Sequence, residues 1–143
     1  MAITQAMATS FKVQLLNGQQ NFSSNTFKLA LYTSSATLNE NTTTYSATNE
    51  VPSTGNYSAG GNTLTVSVTP TNSGNVAYIS FANTSWANST ITAAGALIYN
   101  NTNSNSAVCV LSFGGDKTST NGTFAINFPT ADATNAIIRL TAS

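Results

Sequence analysis

The chain has 143 residues, of which 41% are hydrophobic and only 6% are charged, with four basic residues, four acidic residues, no histidine and a formal net charge of zero. A chain of this length fits one domain and buries about 70% of its unfolded surface, so the apolar content supports a real core. Four dispersed basic residues cannot neutralise a phosphate backbone, so we expect no nucleic-acid partner.

Hydroxyl and amide side chains take the place of charge, because the chain contains 24 Thr, 19 Asn and 18 Ser. With a net charge near zero, such a surface gives little electrostatic protection against self-association. It suits a protein that works inside an assembly or outside a cell. The opening residues lack the basic and apolar regions of a secretory signal. No apolar run approaches the length of about 18 residues that spans a bilayer, so we expect no membrane partner.

The first predicted element is a short N-terminal helix with apolar residues at four-residue spacing. These residues are Met7, Phe11 and Leu15. Thr9 or Ser10 can cap its first turn, and Asn17 with Gly18 supplies a C-terminal stop. Because a helix of about ten residues is marginal alone, it either packs on its own domain or docks on a neighbouring subunit. We predict an N-terminal arm over residues 1–22.

From residue 27 onward, apolar residues alternate with a period of two, which is typical of strands with one buried face. Seven runs show this pattern: 27–31, 64–68, 77–81, 96–99, 107–111, 124–128 and 136–140. No helix is predicted between them, which favours antiparallel sheets. We predict an all-β fold in which residues 23–143 form a single antiparallel β-sandwich, jelly-roll or immunoglobulin-like, of seven or eight strands.

The segment 34–61 has no clear periodicity and is long for a connection inside a compact domain. Leu38, Tyr45 and Val51 are the residues expected to pin it down. Two interpretations stay open for this segment: a contact surface, or an elaborate connection between strands.

Trp86 is the only tryptophan and lies in NTSWANS, between two predicted strands. It is either a partly buried packing anchor or an interface hot spot. An exposed Trp86 or Tyr57 could also stack on a sugar ring. A carbohydrate-binding module is therefore an alternative function.

The stretch SFGGDKTSTNGTF, residues 112–124, combines glycines, a lysine and hydroxyl residues. A phosphate-binding loop needs glycine directly before the lysine and a helix directly after it. Here Asp116 precedes Lys117, and a predicted strand follows. We therefore predict a hairpin turn, in which Gly-Gly and Asn-Gly pairs supply positive φ angles.

Other catalytic arrangements lack the residues that they need. No histidine can activate a serine or threonine, and the four carboxylates are far apart in sequence. Asp132 with Asn135 fits a turn cap better than a calcium or magnesium site. Cys109 lies in an apolar strand and fits a core position. A single cysteine also excludes an intramolecular disulfide. We predict no enzymatic activity, no cofactor and no metal.

Five stretches cover most of the chain and carry a resemblance to a known family. They are ITQAMATSFKVQLLNGQQNF (3–22), FKLALYTSSATL (27–38), YSATNEV (45–51), GNYSAGG (55–61) and GALIYN through FPTADATNAIIRL (95–140). The sequence resembles a family of short virion structural proteins of tailed bacteriophages. Ala8 departs from the family pattern, which has cysteine there, and this puts any role for a thiol at that position in doubt.

The resemblance implies a particle component, made in the host cytoplasm and assembled into the virion. Two locations are open: a decoration (cement) protein on the outer surface of the head, bound to the major capsid protein, or a tail, neck or fibre subunit. The low charge and the predicted arm indicate a homo-oligomer, and a trimer is the form that we expect. Removing residues 1–18 is expected to abolish incorporation and leave the sandwich folded. Candidate interface residues are Met7, Phe11, Leu15, Leu38, Tyr45 and Trp86.

Overall fold

The computed structural model of the protein describes residues 2–141. In chain order its elements are β1 (Ala6–Met7), α1 (Thr9–Leu16), β2 (Phe27–Tyr32), β3 (Asn62–Thr63), β4 (Val66–Ser73), β5 (Val76–Phe81), β6 (Thr84–Asn100), β7 (Ser106–Ile126) and β8 (Ile138–Leu140). Within these residues, no helix is long and apolar enough to cross a bilayer.

The strands form two antiparallel sheets. One sheet has the order β1-β7-β6-β2-β3, and the other has the order β4-β5-β8. The prediction of an all-β, sandwich-like fold with a short N-terminal helix is confirmed. Aromatic rings fill part of its core: Phe22 stacks on Phe27 at a centroid distance of 4.5 Å, and both lie near Phe81.

The longest strands, β6 and β7, form one hairpin of 17 and 21 residues, with its turn at residues 101–105. The predicted turn at residues 112–124 is wrong, because these residues continue β7. They join the strand predicted at 107–111 to the one predicted at 124–128. One long strand therefore replaces two short ones.

A bulge in β7 explains why residues 112–124 carry turn-like residues. Ala93 pairs with Lys117 and Gly95 pairs with Ser112, so residues 113–116 bulge out opposite a single residue of β6. The two glycines of this bulge have φ angles of +76° and +150°. A β-bulge needs the same backbone freedom as a tight turn, and glycine supplies it at little steric cost.

Helix α1 begins after Ala8, which makes no side-chain capping hydrogen bond. Thr9 and Ser10 lie inside the helix, so the predicted N-terminal cap is wrong. The predicted C-terminal stop is confirmed. Gly18 has φ +72°, and its amide donates to the carbonyl of Leu15 at 3.2 Å, which closes the last turn in a left-handed cap.

The described part of the predicted arm, residues 2–22, packs on the sheets of its own chain. Met7 lies in β1 and pairs with Cys109 of β7. Phe11 is fully buried, with its ring 6.0 Å from that of Phe22. The helix was expected either to pack on its own domain or to dock on a neighbouring subunit. Its inner face packs on its own domain.

Candidate functional site

The irregular segment 34–61 is attached to three parts of the fold through its backbone. The amides of Leu38, Tyr45 and Val51 donate to carbonyls of the N-terminal segment, the β6–β7 turn and β2, at 3.1, 2.9 and 2.9 Å. Leu38 and Val51 are also buried. The three residues that were expected to pin the segment down do so.

Glu50 is the most unusual side chain of this segment, because its carboxylate is buried. Its Oε1 accepts a hydrogen bond from the Tyr45 hydroxyl at 2.6 Å. Its Oε2 accepts one from the Tyr57 hydroxyl and one from the Gly60 amide, both at 2.7 Å. Within residues 2–141 it has no ion-pair partner. Three neutral donors therefore replace the water that the carboxylate loses on burial.

Four tyrosines surround this carboxylate, and we call them with Glu50 the Glu50 cluster. Tyr32 donates to the Ser46 carbonyl at 2.6 Å, and Tyr99 donates to the Gly60 carbonyl at 2.7 Å. The rings of Tyr45 and Tyr99 stack at 4.8 Å. The cluster thus ties the irregular segment to β2 and β6.

Burial raises the pKa of every tyrosine in the cluster, and the nearby Glu50 charge adds to the effect. The pKa of Tyr99 rises to about 12, and the pKa values of Tyr32, Tyr45 and Tyr57 rise further above the ordinary value. The phenols are therefore neutral hydrogen-bond donors at physiological pH. Both Glu50 oxygens already accept hydrogen bonds from the protein. The Glu50 cluster therefore serves to hold the segment 34–61 in place.

A shallow cleft of about 590 Å³ lies beside the cluster. Tyr32 and twelve residues between 35 and 49 line it. Glu40, which lies within that range, is not one of them, so no charged side chain lines the cleft. Its walls carry threonine and serine hydroxyls and asparagine amides. We call it the 35–49 cleft.

The six predicted interface residues do not share one surface. Phe11 and Trp86 are 0% and 1% exposed, so they belong to the core, and assigning them to an interface of the folded chain is wrong. Leu38 is also buried. Met7, Leu15 and Tyr45 are partly buried, and all three pack against the core.

Trp86 is a packing anchor, the first of the two interpretations of this residue. Its ring lies 5.3 Å from that of Tyr57 and 6.4 Å from that of Phe124. Trp86 and Tyr57 are both 1% exposed. Neither ring can stack on a sugar, so that basis for carbohydrate binding is wrong. The indole Nε1 of Trp86 has no hydrogen-bond partner within residues 2–141.

The expected turn cap at Asp132 is confirmed. Its Oδ1 accepts hydrogen bonds from the amides of Thr134 and Asn135, at 2.8 and 2.6 Å. Hydrogen bonds from the side chain and amide of Asn135, and from Thr134, lower the pKa of Asp132. Across residues 2–141, no group of three or more His, Cys, Asp or Glu side chains is placed to hold a metal.

Cys109 occupies the expected core position in β7. Its side chain is 5% exposed, and burial raises the pKa of the thiol to about 12. A thiol is a good nucleophile only as the thiolate, so Cys109 is inert in the folded protein at neutral pH.

An exposed apolar patch that the sequence did not predict lies where α1 approaches β8. Leu15, Ile138 and Leu140 line a cleft of about 230 Å³, together with residues of β5. Leu16, which follows Leu15, is 90% exposed, and Leu140 is 48% exposed. Ile138 is only 4% exposed and belongs to the core. We call Leu15 and Leu140, with Leu16 next to Leu15 in sequence, the α1–β8 patch. The four-residue spacing correctly identified the buried Phe11 but gave no reason to examine Leu16.

Comparison with known proteins yields no match: no family model, no curated protein and no solved structure is similar to this chain. The surfaces and clefts of the chain itself, with the resemblance in its sequence, are therefore the basis for assigning a function.

Proposed function

We propose that this protein is a structural component of a tailed-bacteriophage virion. It sits on the outer surface of the head as a decoration protein bound to the major capsid protein. The observation that carries this proposal is the α1–β8 patch, which contains two of the three large apolar side chains that are exposed within residues 2–141. The sequence resemblance over residues 3–22, 27–38, 45–51, 55–61 and 95–140 supports the assignment to a virion.

The α1–β8 patch has the properties of a contact surface. Leu16 is almost completely exposed and Leu140 is half exposed, and covering one such side chain contributes about 2 kcal/mol. The adjoining cleft offers a concave apolar surface to a partner. A capsid lattice repeats each contact many times, so a modest interface per copy suffices for stable attachment.

A purely structural role fits the way in which this chain uses its ionisable groups. The Glu50 carboxylate accepts three hydrogen bonds from within the fold, and Asp132 caps a turn. We therefore propose that the protein is not an enzyme and needs no cofactor. It would self-associate on the particle as a trimer after synthesis in the host cytoplasm.

A tail, neck or fibre subunit is the alternative location, and the copy number separates the two. Quantitative densitometry of purified virions should give a copy number comparable to that of the major capsid protein. A much smaller number would contradict head decoration and place the protein in the tail, neck or fibres.

Substitution of Leu16 tests the α1–β8 patch itself. Leu16→Asp should abolish co-sedimentation of the protein with capsids that lack it, because a charge replaces the exposed apolar side chain. Gln19→Asp is the matched control, since Gln19 is also exposed, lies three residues away and gains the same charge. Equal capsid binding by both variants would contradict a contact through this patch.

A further inference from the structure

We propose that the 35–49 cleft binds a neutral saccharide. This inference does not rest on the location of the protein in the virion. It rests on the size of the cleft, its fixed shape and the chemistry of its lining.

The 35–49 cleft has the size of a small-molecule site and a pre-formed shape. Its volume of about 590 Å³ lies within the range of roughly 300–1,000 Å³ found for ligand sites. The Tyr32 hydroxyl fixes Ser46, and the Asn49 side-chain amide donates to the Ser35 carbonyl at 3.2 Å. The Thr33 amide donates to the Asn49 carbonyl at 3.0 Å. A ligand would therefore meet walls that need little ordering on binding.

Several polar groups in the lining are free to bind a ligand. The side chains of Asn41, Thr43, Thr44 and Thr48 have no hydrogen-bond partner within residues 2–141. A threonine hydroxyl both donates and accepts, and an asparagine amide carries a donor and an acceptor side by side. A sugar hydroxyl also donates and accepts, so it can pair with either type of side chain.

The same lining disfavours charged ligands. No Lys, Arg, Asp or Glu lines the cleft, so a phosphate, a carboxylate or an ammonium group would lose water without gaining an ion pair. The clefts lined by Arg139 and by Lys117 differ in this respect. A neutral ligand with many hydroxyls is the class that this chemistry matches.

The floor of the cleft is made of carbon-rich side chains. Tyr32, Ala36 and Leu38 line the cleft and are 1%, 2% and 7% exposed. Side chains this deeply buried fix the shape of the cleft but offer a ligand little surface. A saccharide would therefore be held through its hydroxyls by the polar walls, and no aromatic stacking is part of this site.

The test is a titration of the full-length protein with neutral hexasaccharides (malto-, cello-, manno- and galacto-series), followed by NMR. We expect at least one series to bind and to shift the amide signals of residues 35–49, whereas sialylated and uronic-acid oligosaccharides do not bind. If no neutral series binds at millimolar concentration, or if the shifts lie elsewhere, the proposal is overturned.

Variants identify the groups that contact the sugar. Thr44→Val and Asn41→Ala should each weaken binding roughly threefold to tenfold, the loss expected for one hydrogen bond. Thr71→Val is the matched control, because Thr71 is an exposed threonine of β4 outside the cleft, and it should bind like the parent. An unchanged unfolding midpoint shows that each variant is folded. Equal affinity of the cleft variants and the control would also overturn the proposal.

Discussion

Glu50 shows how a single residue can hold a long irregular segment in place. Its carboxylate joins Tyr45, Tyr57 and Gly60, which come from different parts of the segment 34–61. A hydrogen bond to a charged group contributes about 1.5–3 kcal/mol, and a donor left buried without a partner costs about as much. The segment should therefore depend strongly on this one side chain.

We expect Glu50→Ala to lower the free energy of unfolding by about 3–5 kcal/mol, because two phenols and an amide lose their acceptor. Glu50→Gln should lower the free energy of unfolding less, since the amide oxygen of glutamine still accepts hydrogen bonds on one side of the cluster. Urea denaturation measures both. Glu40→Gln is the control, because Glu40 is exposed, and it should change little. A free energy of unfolding of Glu50→Ala equal to that of the parent would contradict the role of Glu50 in holding the segment 34–61 in place.

The raised pKa values of the cluster tyrosines predict a loss of stability in alkali. In the unfolded chain these phenols ionise near pH 10, whereas in the folded protein they keep their protons to higher pH. The stability that these tyrosines contribute to the folded protein is therefore complete below about pH 10. It is lost as the pH rises toward the pKa in the folded protein, which is about 12 for Tyr99.

Urea unfolding at about pH 9 and about pH 11 should show this fall in the free energy of unfolding. Tyr99→Phe removes one of the titrating groups, so its free energy of unfolding should fall less over the same interval. A free energy that stays constant across this interval in the parent protein would contradict the assignment.

Glu50 was not predicted from the sequence, because the burial of a carboxylate depends on donors that only the fold assembles. A weak local signal exists: the three donors lie five, seven and ten residues from Glu50. By contrast, Cys109 and Asp132 were predicted correctly, since an apolar strand and an Asx turn are encoded by adjacent residues.

At the scale of elements, local turn chemistry did not determine whether the chain turns. Asn121 has φ +46°, and Gly114 has φ +76°, as the sequence predicted for a hairpin loop. Both residues nevertheless lie within β7, because β6 continues alongside and pairs beyond each irregularity. Positive φ angles are common to turns and bulges. Only the partner strand distinguishes them, and it is distant in sequence.

Gly61 packs closely against the backbone of β2. It has φ +75°, and a Cβ atom placed on it would overlap the carbonyl oxygen of Leu29. Gly61→Ala must therefore displace the backbone as well as adopt a left-handed conformation, which alone costs about 1–2 kcal/mol. We expect a loss of more than about 3 kcal/mol in the free energy of unfolding, or no folding at all.

Gly74→Ala isolates the conformational cost. Gly74 lies in the turn between β4 and β5 with φ +57°, and no heavy atom lies within 4 Å of the position that an alanine methyl group would take. This variant should lose only about 1–2 kcal/mol, the cost of the left-handed conformation alone. Thermal or urea unfolding measures the free energy of unfolding of both variants. Equal losses in the two would show that the close approach of Gly61 to Leu29 is unimportant.

For the molecule as a whole, the N-terminal segment completes the fold. Its strand β1 pairs with β7, and Ala8 and Phe11 are fully buried. The sequence predicted that removing residues 1–18 leaves the sandwich folded. The packing leads us to expect the opposite result, because losing a buried phenylalanine alone costs about 3–5 kcal/mol.

Circular dichroism during thermal unfolding can decide this point. The chain without residues 1–18 should be unfolded or should melt far below the parent. Lys12→Ala, at an exposed position of α1, should melt like the parent. If the truncated chain melts at the same temperature as the parent, the N-terminal segment is a separate arm and our expectation is wrong.

The pairing of β1 with β7 also sets the order of events during synthesis. The two partners are separated by about a hundred residues of chain, so at roughly 5–20 residues per second the ribosome needs about 5–20 s to deliver the second after the first. Through that interval β7 is missing from the sheet that α1 packs on, and β2 waits for β6 as well. The nascent chain therefore carries exposed aromatic side chains for most of its translation, and folding is completed only once nearly the whole chain has been made.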